Sequence, residues 1–223
     1  MKVLLVLAFV GLAFVAAEDK RLTCTAFSDS LIEKMNDQIN LELHASYLYH
    51  GYARYFGRDD VALSGFADFF KHASSEEKDH ADKLMEYMNT RGCRFLLKDI
   101  TYKDVCDKIN EKKPAELSSA CICEFTAAAT GGDPSSCSAN RPEWFNGKQA
   151  MENALTIEHH VNDELLKLHR STNDPHFEKF LEDNYLDEQV HAIKELSDYI
   201  TILKRTGDGL GEYLFDKDLD SKY

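Results

Sequence analysis

Proline occurs only 4 times in 223 residues. Long stretches therefore carry no obligatory helix breaker, and none of them shows the alternation that a half-buried strand requires. A sheet-based fold is excluded on that ground. Basic residues are also short: 26 Lys and Arg stand against 39 Asp and Glu, a formal net charge of -13. Such a chain lacks the basic stripe of a nucleic-acid partner, so none is expected. The acidity suits cations, and it serves solubility equally well. No Asn-x-Ser/Thr acceptor is present, so N-glycosylation is not expected. There is no internal repeat and no low-complexity tract. Past the N-terminus no apolar run is long enough to cross a membrane, so no membrane span is expected.

What is present begins with a leader. Lys2, the apolar run over 3–15 and the small residues Val15-Ala16-Ala17 predict a signal peptide at 1–17 and an exported domain at 18–223. The expected location is outside the cell or in the lumen of the secretory pathway (ER and Golgi). Six cysteines in an exported chain imply disulfides: Cys24, Cys93, Cys106, Cys121, Cys123 and Cys137. Their pairing is left open. Cys121 and Cys123 are too close to pair easily with each other, and Cys24 is placed to reach a second subunit.

Apolar residues recur at helical spacing in four long segments, at about 28–55, 61–90, from 147 onward and 175–205. Asp59 or Asp60 is expected to cap the second helix, Gly92 to stop it, and Pro175 to start the fourth. Gly207-Asp208-Gly209 precedes a short amphipathic segment at about 210–218. Between the second and third helices lies an irregular stretch, 93–144, holding five of the cysteines. A connection of that length is unusual unless functional or tied down. The expected fold is all-α: a four-helix bundle with a long crossover connection, the ferritin-like arrangement, and a short fifth helix.

Each long seam is interrupted by a group that belongs outside a core. On the second helix the seam runs Phe66, Phe70, Ala73, Glu77, His80, Leu84, Met88. Glu42 and Tyr49 lie on the seam of the first, Glu158 on that of the third, and Gln189 on that of the fourth. An unpartnered buried carboxylate costs several kcal/mol, on the order of 2–7 for a polar group and more for a charge. Glu77-x-x-His80 taken alone fits a buried hydrogen-bonded pair as well as a metal site. Three glutamates on facing seams would repel one another unless protonated or bridged by cations, and two divalent metals resolve that. Di-iron carboxylate bundles use this pattern. Glu188-Gln189-Val190-His191 holds a second literal Glu-x-x-His, yet His191 shares its face with Asp187, Lys194 and Asp198, whereas Gln189 shares its face with Tyr185 and Leu196. Gln189 is therefore the ligand candidate.

At these residues the chain resembles the animal ferritins, and among them the heavy, ferroxidase-bearing subunit of the secreted insect-type branch. The segments that carry the resemblance are Gln38-Ile39-Asn40-Leu41-Glu42-Leu43, Phe56-Gly57-Arg58-Asp59-Asp60-Val61-Ala62-Leu63, Glu76-Glu77-Lys78-Asp79-His80-Ala81, Asn184-Tyr185-Leu186-Asp187-Glu188-Gln189 and Glu212-Tyr213-Leu214-Phe215-Asp216-Lys217. The resemblance implies a cage of 24 subunits, homo- or hetero-oligomeric with a light-type partner. Such a cage oxidises Fe(II) with oxygen at a site for two irons and stores the ferric mineral. It assigns Glu42, Glu77 and His80 to the first iron, makes Glu77 the bridge, and gives the second iron Glu158 and Gln189. Tyr49 stands behind the first iron's ligands. Glu76, Asp79 and Asp82 match acidic positions linked to nucleation or iron transfer; an ordinary solvated helix face describes them equally well. Leu214 falls where the family lines its four-fold axis. At the three-fold channel the sequence departs from the family: Lys179 and Glu182 occupy the positions of an acidic pair, with Glu178 alongside. Three other readings compete: a storage subunit without its own oxidation step, a small di-iron oxidase that forms no shell, and a cytokine-like bundle.

Overall fold

The computed structural model describes residue 24, residues 27–100 and residues 146–223. The leader, Cys106, Cys121, Cys123, Cys137 and most of the cysteine-bearing connection lie outside them. Among the described residues all regular structure is helical. Helix α1 is Asp29–Phe56, α2 Ser64–Thr90 and α3 Gly147–Arg170; α4 is Pro175–Leu181, a π-helical turn covers Glu182–Leu186, α5 is Asp187–Thr206, and α6 is Leu210–Asp220. The segment from α4 through α5 is the fourth long helix of the bundle, and α6 is the short additional one.

Local chemistry explains most boundaries. Ser28 caps α1 by accepting from the Leu31 amide, and Asn146 caps α3 by accepting from Gln149. Asp174 caps α4 through the amides of His176 and Phe177, with Pro175 at the first turn. The second helix departs from expectation. It starts at Ser64 rather than near residue 61, and neither Asp59 nor Asp60 caps it: Leu63 holds the cap position without a side-chain bond. Asp60 is taken instead by Arg58, at 2.6 Å. The cap is supplied from α6, where the buried Asp216 accepts from the Phe66 amide at 3.0 Å.

Helix directions follow from which ends meet. Tyr49 lies against Glu158 and Tyr52 against Asn153, so α1 and α3 run in opposite senses. A Cβ on Gly147 would sit 2.2 Å from the Phe66 ring, so α3 begins where α2 begins. At the other end Arg91 reaches Asp174 at 2.6 Å. Helices α2 and α3 are thus parallel, and the connection between them must cross the length of the bundle. Phe56, Phe66 and Phe70 stack within this end of the core, with Phe56–Phe66 centroids 5.1 Å apart. Gly65 permits α6 to close over it: a Cβ there would lie 1.9 Å from the Asp216 carbonyl oxygen.

Cys24 is bonded to Cys93 within the same chain, with Cα atoms 4.9 Å apart. Of the pairings the sequence leaves open, this one is within the chain, so Cys24 is not the cysteine that reaches a second subunit. The bond staples the segment before α1 to the end of α2, where Phe27 packs on Phe177 and under the Arg91 guanidinium.

Candidate metal centre

The interrupted seams converge. Glu42, Glu77 and His80 each present one ligand atom, and these atoms all lie within 4.8 Å of one another. All three side chains are buried, as are Glu158, Gln189 and Tyr49. A single cavity brings together Tyr49, Glu77, His80, Glu158, Gln189 and Glu188.

The hydrogen bonds divide this set in two. On one side Gln38 donates to Glu42 Oε1 at 2.7 Å, while Glu42 Oε2, buried, meets no donor. Its neighbour is the Glu77 carboxylate. Burial, then Glu77, pushes the Glu42 carboxyl well above its ordinary range. Burial, then Glu158, does the same to Glu77. Two carboxylates facing each other in a buried site favour a proton or a cation between them. On the other side Tyr49 donates to Glu158 Oε1 at 2.5 Å and Gln189 Nε2 donates to Glu158 Oε2 at 3.0 Å. Burial raises the Glu158 carboxyl, and these two donors restrain the rise. Gln189 spends its amide hydrogens on Glu158, leaving Oε1 as the atom it can offer. Tyr49, which the resemblance places behind the first iron's ligands, is bonded to Glu158, the residue assigned to the second. Burial and Glu158 together push its phenol well up, so Tyr49 stays a donor.

An orphaned buried oxygen, clustered carboxylates and one imidazole make a hard, anionic donor set suited to a divalent metal of the iron type. Glu42, Glu77 and His80 could hold one such ion, with Glu158 and Gln189 lining the cavity beside Glu77 and His80.

The remaining candidates lie further out. Glu76 lines the outer part of the same cavity and lies 3.2 Å from His72. Asp79 and Asp82 stand on the exposed face, Asp82 paired with Lys78 at 2.6 Å. Lys179 is exposed and bound to Asp183, while Glu182 pairs with His169 at 3.0 Å and Glu178 is half-buried. His191 is exposed, beside Asp187.

Three residues escape a reading of the seams. Gln38 is buried and holds Glu42; its signal is its place one turn before Glu42. Tyr185, assigned only to the core, donates to the His80 carbonyl oxygen at 2.8 Å. Glu188, passed over as part of a misleading motif, reaches across from α5 to His80 Nε2 at 3.1 Å. The π-helical turn that precedes α5 widens the helix just before this pair, a feature often found at functional sites.

The comparisons with known proteins agree with the geometry. Residues 32–206 match the ferritin-like domain family. The chain is 48% identical over 187 residues to soma ferritin of Lymnaea stagnalis, spanning 82% of this chain and 87% of that protein. A parallel-crossover bundle, a buried carboxylate and imidazole cluster, and a match over most of the length place this chain in the ferritin family.

Proposed function

We propose that this chain is a heavy-type ferritin subunit that binds Fe(II) at the Glu42/Glu77/His80 cluster, oxidises it with oxygen and stores it as ferric mineral within a cage. The observation that carries the reading is the buried trio of ligand atoms within 4.8 Å, one of whose carboxylate oxygens lacks any donor. Iron is the substrate. Fe(II) binding displaces the protons that burial keeps on the carboxylates. With Glu77 between two irons, each iron gives up one electron, and dioxygen receives two electrons and two protons to form hydrogen peroxide. The oxygen-rich donor set favours the ferric product. Second-site iron, held by Glu158 and the neutral Gln189, is bound by less charge than the first and leaves more readily toward the mineral. Glu76, at the cavity mouth, is the candidate for relaying it; Asp79 and Asp82 are the weaker candidates.

The test is anaerobic Fe(II) loading followed by an oxygen pulse, with ferric absorbance recorded by stopped flow. Wild type is expected to oxidise two Fe(II) per subunit rapidly, and a Glu77→Ala/His80→Ala variant to lose that phase. Equal rates in the two would sink the assignment.

The same reading extends to assembly and export. Leu210, Tyr213 and Leu214 are exposed on α6, a surface a cage would cover at its four-fold axis. The match to the family's subunits supports a 24-mer, built of this chain alone or with a light-type subunit; light scattering should give a particle of cage mass. The Cys24–Cys93 bond supports an oxidising compartment and hence the leader at 1–17. Among the described residues no helix is long and apolar enough to cross a membrane.

A further inference from the structure

His80 has two ring nitrogens, and the fold gives them different neighbours. Nδ1 faces Glu77 Oε2 at 3.5 Å, within the candidate metal cluster. Nε2 lies 3.1 Å from Glu188 Oε1, on the opposite side of the ring from Nδ1 and outside the trio of candidate ligands Glu42, Glu77 and His80. An ionised carboxylate only accepts hydrogen bonds, and a neutral imidazole carries a single N–H. When the ring is neutral, as a ligating imidazole must be, Glu188 draws its one hydrogen to Nε2 and leaves the Nδ1 lone pair for a cation. The approach is not a loose surface contact. Tyr185, three residues before Glu188, is buried and bonded to the His80 carbonyl oxygen at 2.8 Å, with its ring 5.4 Å from the imidazole. Gln189, immediately after, is tied to Glu158. Glu188 is thus held between two anchored neighbours, opposite the ring it contacts.

We propose that Glu188 is a positioning residue that fixes the tautomer and ring orientation of His80, so that Nδ1 serves the iron bound beside Glu42 and Glu77. This rests on the metal-site reading given above. A carboxylate behind a ligating histidine is a recurrent device, and its loss weakens metal binding by about 10–100-fold. The alternative role, direct attraction or ligation of the incoming ion by the Glu188 charge, separates from this one by chemistry. Glu188→Gln keeps an acceptor oxygen for Nε2–H and removes the charge. Glu188→Ala removes both.

The experiment is an anaerobic Co(II) titration of the assembled protein, following the visible absorption of the bound ion, for wild type, Glu188→Gln, Glu188→Ala and Glu77→Ala. The proposal expects Glu188→Ala to weaken the site by about 10–100-fold and Glu188→Gln by no more than about three-fold. Glu188→Ala leaves a helix-favouring residue at a half-exposed position, and an unchanged melting curve in EDTA verifies its fold. Should Glu188→Gln bind as poorly as Glu188→Ala, the charge itself matters and the positioning role is overturned. Should Glu188→Ala bind like wild type while Glu77→Ala does not, the positioning role falls and the metal site stands. Should Glu77→Ala also bind like wild type, the metal-site reading falls, and the role of Glu188 with it.

Discussion

Replacing Glu77 by Gln should make the metal-free protein more stable and the metal-bound protein less so. Glu77 and Glu42 present oxygens within 4.8 Å of one another; at an effective dielectric constant of about 20 that separation gives a repulsion of about 3 kcal/mol between two ionised carboxylates. Glutamine removes one charge, and its amide can donate to the orphaned Glu42 Oε2. Burial, then Glu77, raises the Glu42 carboxyl, and burial, then Glu158, raises that of Glu77. A raised carboxyl contributes stability that is complete below the ordinary carboxylate range and is lost as pH rises through its folded value. The advantage of Glu77→Gln should therefore be small at pH 5 and open toward pH 7.5. For a chain of this size about 3 kcal/mol corresponds to roughly 6–12 °C in melting temperature. Differential scanning fluorimetry in EDTA across that range measures it. Adding Zn(II) should reverse the order, because only the wild type regains both anionic ligands. An unchanged melting temperature in EDTA at pH 7.5, or a gap equally wide at pH 5, would refute the reasoning.

Three further outcomes are expected. Asp216→Ala should cost about 1–3 kcal/mol, since it opens a buried amide at the start of α2, whereas Asp216→Asn should recover most of it; thermal melts of the two variants decide this. Arg91 holds the Asp174 carboxyl down at about 2 by a direct hydrogen bond, with burial opposing. The stability it supplies is present above the ordinary carboxylate range and disappears as pH falls through about 2; after allowance for solvent screening it amounts to about 1–2 kcal/mol, read from acid titration of wild type against Asp174→Asn, which retains the cap. Reducing Cys24–Cys93, which closes a separation of 69 residues, should lower stability by up to about 4 kcal/mol in a chain-entropy account, checked by denaturant melts of wild type and Cys24→Ser/Cys93→Ser.

The four bundle helices are legible in the sequence because each holds a seam over twenty or more residues, long enough for the period to dominate local noise. Glu42, Glu77, His80, Glu158 and Gln189 stand out for the same reason: each is a polar group where the seam calls for an apolar one, and the structure buries all five. What could not be read depends on contacts distant in the chain. The expectation of an Asp59 or Asp60 cap failed because Arg58 is the nearer partner and because Ala62, at φ 54, turns the chain before α2 begins. Asp216 lies 150 residues from the amide it caps, beyond any local rule. The π-helical turn did leave a trace. Phe177, Leu181, Tyr185 and Gln189 step by four three times running, which at 100° per residue should rotate steadily off the core. A wider turn at Glu182–Leu186 absorbs that drift. Glu188 was invisible because it flanks the seam rather than lying on it, and only the packing of α5 against α2 shows which ring it serves.

The cap supplied by Asp216 also imposes an order on synthesis. The first turn of α2 leaves the ribosome with its Phe66 amide open, and the residue that closes it is made 150 positions later. At ordinary elongation rates that interval is about 8–30 s. During it, the helix that carries Glu77 and His80 lacks this cap at the end where the bundle's aromatic stack forms. A chain cut short after α5 would thus carry every candidate metal ligand without the residue that caps α2 at its start.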